Sequence, residues 1–498
     1  MQADEYAALD AVGLADLLER KEVSPKELIE LAFQRLDQVN EKINAVAYTR
    51  KEKALQEAEN VDPTTAFKGV PMALKDSSQT IKGEPNTSGA HILKDNIALH
   101  TANFVQKLYD AGLISIGNST TPEFAIKNIT EPKLYGPARN PWNTDYSPGG
   151  SSGGAAALVA AGVVPVAGAS DGGGSIRIPA SFSGLVGLKP TRGRTSVGPG
   201  SGRKWHGAAI DFVLAKTVRD VARCLDNLQV LQPEAAFQVP LYEFSYEEMM
   251  LDHPKKGMRI GFTTTSPVGT RVSEDAKEAV LKTVKFLEKA GFHIEEVDHP
   301  VDGVQLMREY YLMNSGEMSS LIRLLEKQLK RNITAEDVEV ETWLLYRAGQ
   351  NVSAADFTES IASWDLAAEK MARFHETYHF FITPATAFPA PKIGQFTPSE
   401  EKAQYLREEI ERLDGKAQLD FIYDMFLPSL EYTPFTQLAN LTGQPAISVP
   451  VHMTKDGLPL GVQIMAPKGD EHHLIRLAHF LEQSDLWEGL KGRVLEIH

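Results

Sequence analysis

The chain carries a single cysteine, Cys224, among 498 residues, which excludes an intrachain disulfide and any cysteine-based zinc or iron–sulfur centre. It sits in the stretch from Val218 to Leu225, where apolar residues recur at helical spacing, so the thiol is expected in a core. A basic excess is also missing. The 51 Lys and Arg stand against 66 Asp and Glu, a formal charge of −15, and such a surface repels phosphate backbones and anionic lipid. Nucleic acid is therefore not an expected partner. No apolar run reaches the roughly 18 residues of a membrane helix; the nearest, Ala155 to Ala169, is rich in Gly and Ala and broken by Pro165. The start of the chain, Met1-Gln2-Ala3-Asp4-Glu5, is acidic and lacks the basic and apolar segments of an export signal. Cytoplasm is the expected location, and a membrane is not an expected partner.

What is present is an ordinary globular composition, 42% hydrophobic and 23% charged, enough to bury a large core. Residues 9 to 60 read as two helices, the second opening at Ser24-Pro25-Lys26-Glu27 with a capping box and Pro at the first helical position. Short apolar runs at Gly69 to Leu74, Leu113 to Gly117, Met258 to Phe262, Phe380 to Thr383, Ala446 to Val451 and Leu460 to Met465 read as strands. Helical patterns alternate with several of them, and a turn at Lys455-Asp456-Gly457 joins the last two. This alternation predicts an α/β fold, a large mixed β-sheet covered by helices on both faces. The absence of a repeat or linker suggests one domain over 1–498, with a helical, more variable subregion at about 300–420 shaping a cleft.

Chemistry concentrates between residues 147 and 196. Two glycine-rich turns, Ser147 to Gly154 and Ser170 to Ala180, flank one helix and strand. Glycine at this density lets backbone N–H groups converge on an anion. Neither turn matches a P-loop or a dinucleotide fingerprint, whereas Ser175 directly follows three glycines, so its oxygen and the preceding N–H groups can face one carbonyl. A serine nucleophile needs a proton acceptor, and neither turn holds a histidine. Lys75, at the end of a strand, serves if burial lowers its pKa toward neutrality.

These segments resemble the amidase signature enzymes: Gly149-Gly150-Ser151-Ser152-Gly153-Gly154, then Asp171 to Ala180, with Gly69-Val70-Pro71 and Lys75-Asp76 upstream. Thr121-Pro122-Glu123, Tyr135 to Trp142, Gly187 to Thr191 and Gly443 to Ala446 add to the likeness, which is weakest from about 235 to 420. Within that family the overall run is most similar to 6-aminohexanoate-cyclic-dimer hydrolases. The resemblance implies Ser175 as nucleophile, Ser151 as proton relay after a cis peptide from Gly150, and Lys75 as base. It implies an oxyanion hole from the N–H groups of Gly172, Gly173, Gly174 and Ser175. Asp171 and Arg177 would brace the loop, and Ser152 would support the relay. Ser170 and Gly172 depart from residues common in the family at those places. The reaction implied is hydrolysis of a linear or cyclic carboxamide through an acyl-enzyme, with no cofactor and no metal. The partner expected is a small-molecule amide, and a homodimer is open.

Two rivals share this pattern: the glutaminase (A) subunit of a tRNA-dependent amidotransferase, and a non-catalytic binding module on the same scaffold. A third signal, His375-Glu376-Thr377-Tyr378-His379, matches the zinc-protease spacing H-E-x-x-H, but a strand pattern starts at Phe380, so the helix is expected to end where two ligands need it to continue. His472 and His473 are expected to be solvated. Met313, Asn314, Trp343, Leu344 and Trp364 are candidates for the cleft wall.

Overall fold

In a computed structural model, residues 1–497 are described. Eleven strands form one sheet: β1 (Val46–Thr49), β2 (Val70–Lys75), β3 (Leu113–Ser119), β4 (Val166–Asp171), β5 (Val186–Lys189), β6 (Ile210–Ala215), β7 (Arg259–Phe262), β8 (His293–Glu296), β9 (Phe380–Pro384), β10 (Ala446–Met453) and β11 (Pro459–Met465). Their order is β1-β3-β2-β4-β6-β5-β10-β11-β9-β7-β8. The sheet is mixed. β2 runs parallel to β3 and β4, β7 parallel to β8 and β9, and the antiparallel pairs lie between these groups and at the β1 edge.

Every residue of β2, β3, β4, β6, β9 and β11 is buried. Successive side chains on a strand point to opposite faces, so both faces of the sheet are covered, as the alternating pattern implied. The main core lies against these strands and takes in Cys224, which is fully buried in the helix Val218–Leu228. Among the described residues no helix is long and apolar enough to cross a membrane.

Local signals act where expected. Ser24 Oγ accepts from the Glu27 N–H at 3.2 Å while Glu27 Oε2 accepts from the Ser24 N–H at 2.7 Å, starting the helix Pro25–Ile43. The reading of 9–60 as two helices is corrected: the segment holds three, Ala11–Glu19, Pro25–Ile43 and Lys51–Ala58, with β1 between the last two. Asn44, at φ 45°, ends the second helix in the left-handed region, and β1 owes its extension to antiparallel pairing with β3, a partner remote in sequence. The region 300–420 is largely helical, but β9 runs through its middle. The remainder is the helices Gly303–Leu329, Val340–Gly349, Ala354–Thr377 and Glu400–Arg412, with Gly415–Leu430 following.

The helix before β9 ends at Thr377, as the strand pattern required. His375 Nδ1 meets the Tyr378 carbonyl at 2.8 Å, and His379, beyond the helix, accepts from the Arg259 N–H at 3.2 Å. The expectation that His472 and His473 are solvated is corrected. Both are half-buried: His472 stacks on Tyr242 at 4.7 Å, and His473 pairs with Asp470 at 2.6 Å, because the helix Glu471–Glu482 packs on the sheet.

Candidate active site

Lys75 is the last residue of β2 and Asp171 the last of β4. The two strands are parallel neighbours, so both residues emerge at the same carboxyl edge, where open α/β sheets bind ligands. The Lys75 side chain is fully buried. Its Nζ donates to Ser151 Oγ at 2.8 Å and to Ser170 Oγ at 2.9 Å. Burial pulls its pKa down from 10.5 to about 7; Asp211 and Asp171 push it back up, and Lys204 pushes it further down. A neutral amine is therefore populated near pH 7, the condition under which a lysine accepts a proton.

Ser151 follows a cis peptide from Gly150, as the resemblance implied. It is buried, and its carbonyl accepts from Thr121 Oγ1 at 2.8 Å. The helix Gly153–Ala160 leaves this turn through a contact only glycine permits: a Cβ on Gly154 would meet the Thr120 backbone nitrogen at 2.5 Å. Ser152 Oγ exchanges hydrogen bonds with the Ser170 backbone at 3.2 and 3.3 Å, tying the two glycine-rich turns together.

The second turn hangs on one buried ion pair. Arg177 donates to Asp171 from Nη2 at 2.8 Å and from Nε at 3.0 Å, and also reaches the Thr436 carbonyl, Gln463 and Asn440. Burial alone raises the Asp171 pKa, but the charge and hydrogen bonds of Arg177 overcome it and bring the carboxyl to about 2. Asp171 Oδ1 also takes the Gly174 N–H at 2.8 Å. This corrects the expectation for Gly174. Its N–H is held by the carboxylate and is not free for an oxyanion. The N–H groups of Gly172, Gly173 and Ser175 meet no acceptor among the described residues. Tyr310 Oη donates to the Gly172 carbonyl at 3.1 Å and Thr436 Oγ1 to the Gly173 carbonyl at 2.7 Å. Since the Gly172 C=O and the Gly173 N–H belong to one peptide and point in opposite directions, the Tyr310 bond fixes the orientation of the Gly173 N–H as well. Ser175 follows Gly174, whose φ of 130° lies outside the normal range of a side-chain-bearing residue.

Ser151, Ser170, Gly172, Gly173 and Ser175 line one cleft of about 350 Å³. Its walls are apolar at Phe124, Ile126, Ile178, Tyr311, Phe426 and Leu430, and polar at Asn128, Asn314 and Lys204. Of the wall candidates read from sequence, only Asn314 lies there. Met313 and Trp364 are packed in one core and Leu344 in another, with Trp343 against it. The long helix Gly303–Leu329 turns Tyr310 and Asn314, one turn apart, toward the cleft, and the intervening Met313 points away. Sequence reasoning also missed Ser170 as a partner of Lys75, although it stands within the motif. Lys204 and Asp211 were missed too, and no motif contains them.

Beside the cleft, the segment Glu123 to Asn128 is held to the helix Val340–Gly349 by a buried cluster. Lys127 Nζ donates to Glu339 at 2.7 Å and Glu341 at 3.4 Å, and the Glu339 N–H donates to Glu123 Oε1 at 2.7 Å. Burial, with the charge of Glu339 adding to it, raises the Glu123 carboxyl to about 8.

The sequence pattern of the amidase family matches residues 27–475. The chain belongs to the amidase family. It is 40% identical over 481 residues to a lipoamidase of Enterococcus faecalis, covering 96% of this chain but only 64% of that protein. A 6-aminohexanoate-cyclic-dimer hydrolase of Paenarthrobacter ureafaciens is 34% identical, with 98% and 97% covered. The solved structure of 6-aminohexanoate cyclic dimer hydrolase complexed with substrate superposes at a TM-score of 0.87 and 32% identity, over 98% of this chain and 99% of that one. The mixed sheet and its helices are thus the fold of this family, and the relatives given above are named as an amidase and a hydrolase.

Proposed function

We propose that the chain is a serine amidase in which Ser175 attacks the amide carbonyl, Ser151 relays its proton and Lys75 receives it. The observation that carries this reading is the 2.8 Å contact between Lys75 Nζ and Ser151 Oγ at a fully buried lysine whose pKa lies near 7. In acylation a bond forms between Ser175 Oγ and the carbonyl carbon. The Ser175 proton passes to Ser151, whose own proton passes to Lys75. The C–N bond then breaks, and the amine departs with the proton returned through the same pair. Water repeats the sequence on the acyl-enzyme and releases the acid. The N–H groups of Gly172, Gly173 and Ser175 are available to the oxyanion, a contribution of about 3 kcal/mol per donor.

The substrate class that fits is an amide carrying an aliphatic arm, linear or cyclic. The apolar cleft walls support it, as do the relatives named for lipoamide and for a cyclic dimer of 6-aminohexanoate. The test is intact-mass spectrometry after exposure to a fluorophosphonate, with hydrolysis of lipoamide and of the cyclic dimer followed in parallel. One adduct on the wild type, absent from Ser175→Ala along with turnover, is expected. An adduct that persists in Ser175→Ala would overturn the assignment of the nucleophile.

A further inference from the structure

Three consecutive residues, Lys204, Trp205 and His206, have φ of 25°, 53° and 53°. None is glycine, and side-chain-bearing residues rarely enter this region. Such a run persists only where its surroundings hold it. Here Trp205 Nε1 donates to Asn314 Oδ1 at 2.9 Å, and His206 Nε2 meets Glu317 Oε1 at 2.7 Å, both on the long helix Gly303–Leu329.

The turn delivers Lys204 to the cleft wall. Its Nζ donates to Ser78 Oγ at 2.9 Å and forms an ion pair with Asp211, and its side chain is 20% exposed. Asp211 is buried on β6, directly opposite Ser170 in the antiparallel ladder with β4. Opposed residues present their side chains on the same face, and Ser170 Oγ is a partner of Lys75 Nζ. Gln79 completes the connection: its Oε1 accepts from the Lys75 N–H at 3.0 Å, and its Nε2 approaches Asp211 Oδ1 at 3.4 Å. Asp211 thus stands one side chain away from the base.

An uncompensated carboxylate in that position favours a charged lysine, the form that cannot accept a proton. We propose that Lys204 is a positioning residue of the reaction: held in the cleft by the left-handed turn, it offsets the charge of Asp211 and keeps Lys75 in its proton-accepting form. The inference rests on Lys75 being the base. The charged groups acting on Lys75 are Asp211 from β6, Lys204 from the turn and Asp171 from β4, and Asp171 is already paired with Arg177. Lys204 is therefore the one of these groups that balances Asp211.

The test needs no knowledge of the substrate. The rate at which a fluorophosphonate labels Ser175 is read by intact mass across roughly pH 5 to 10, where the wild-type rate rises through about pH 7 as Lys75 loses its proton. In Lys204→Met the acid limb moves up by about half a unit or more, so labelling falls about twofold or more at about pH 7 and about threefold or more near about pH 5, and recovers at high pH. Lys204→Arg retains the wild-type profile, and Asp211→Asn moves the limb the other way. A Lys204→Met profile that coincides with wild type, or that is lowered equally at every pH, overturns the proposal. Should Lys204→Met fail to fold, Lys204→Gln and Asp211→Asn carry the same pair of opposite displacements. A wild type that takes no adduct at Ser175 at any pH rejects the nucleophile instead, so the two failures are distinct.

Discussion

Asp171 and Arg177, six residues apart, face each other through hydrogen bonds of 2.8 and 3.0 Å with neither side chain exposed. The pair decides the shape of the turn that carries Ser175, because the same carboxylate holds the N–H groups of Gly174 and Ile176.

Removing the cation should therefore damage stability and activity together. Arg177→Met leaves a buried, unpaired carboxylate, which costs about 3 to 5 kcal/mol. A melting temperature several degrees lower and loss of fluorophosphonate labelling at Ser175 are expected. A variant with unchanged melting temperature would contradict the role given to the pair.

Lys75→Met should abolish turnover, by at least about a thousandfold, while stabilising the fold near neutral pH. The sign follows from linkage. The folded pKa of about 7 lies below the usual 10.5, so between these values the unfolded chain binds more protons, and wild-type stability rises with pH. Below pH 7 both states are charged and the burial penalty is greatest. Denaturant titrations of the two proteins should show the advantage of Lys75→Met shrinking as pH is raised from about 7 toward about 10.

Ser170→Ala removes one of the two hydroxyl partners of Lys75 Nζ. A hydrogen bond of this kind contributes about 1 to 1.5 kcal/mol, so kcat should fall about tenfold with little change in melting temperature. Ser170→Thr restores the hydroxyl and should restore most of the rate.

The Glu123 carboxyl, raised to about 8, gives the opposite pH dependence. Its folded pKa exceeds the usual 4.5, so between those values the folded chain binds more protons and stability falls as pH rises. Glu123→Gln keeps an acceptor for the Glu339 N–H and removes the titration. Thermal melts from about pH 5 to about pH 8 should therefore decline less steeply in the variant, and parallel slopes would refute the assignment.

Much of this was legible because it depends on short-range chemistry. Ser24, Pro25 and Glu27 start a helix through contacts within three residues. The runs that became β2, β3, β9, β10 and β11 are apolar enough to announce burial on both faces. Lys75, Ser151 and Ser175 stand in three motifs whose glycines are needed for close backbone approach, as Gly154 against Thr120 illustrates. The strands β1, β5, β6 and β8 were not legible. β1, β5 and β8 have four residues each, β1 and β8 also lack the fully apolar run that marks buried strands, and the run of β6 is interrupted by Asp211.

The amino-acid sequence by itself determined the family, the chemical groups at the site and most of the elements that carry them, because motif spacing and hydrophobic period are local properties. Only the tertiary structure decided which N–H groups are free, since the Gly174 donor is taken by Asp171 through the folding of the turn. It alone brought Asp211 opposite Ser170, across a ladder between strands some 40 residues apart in sequence, and Lys204 into the cleft through a turn fastened to a helix about 110 residues further on. Electrostatic balance at a buried lysine depends on distances in space, and residue spacing along the chain does not encode them.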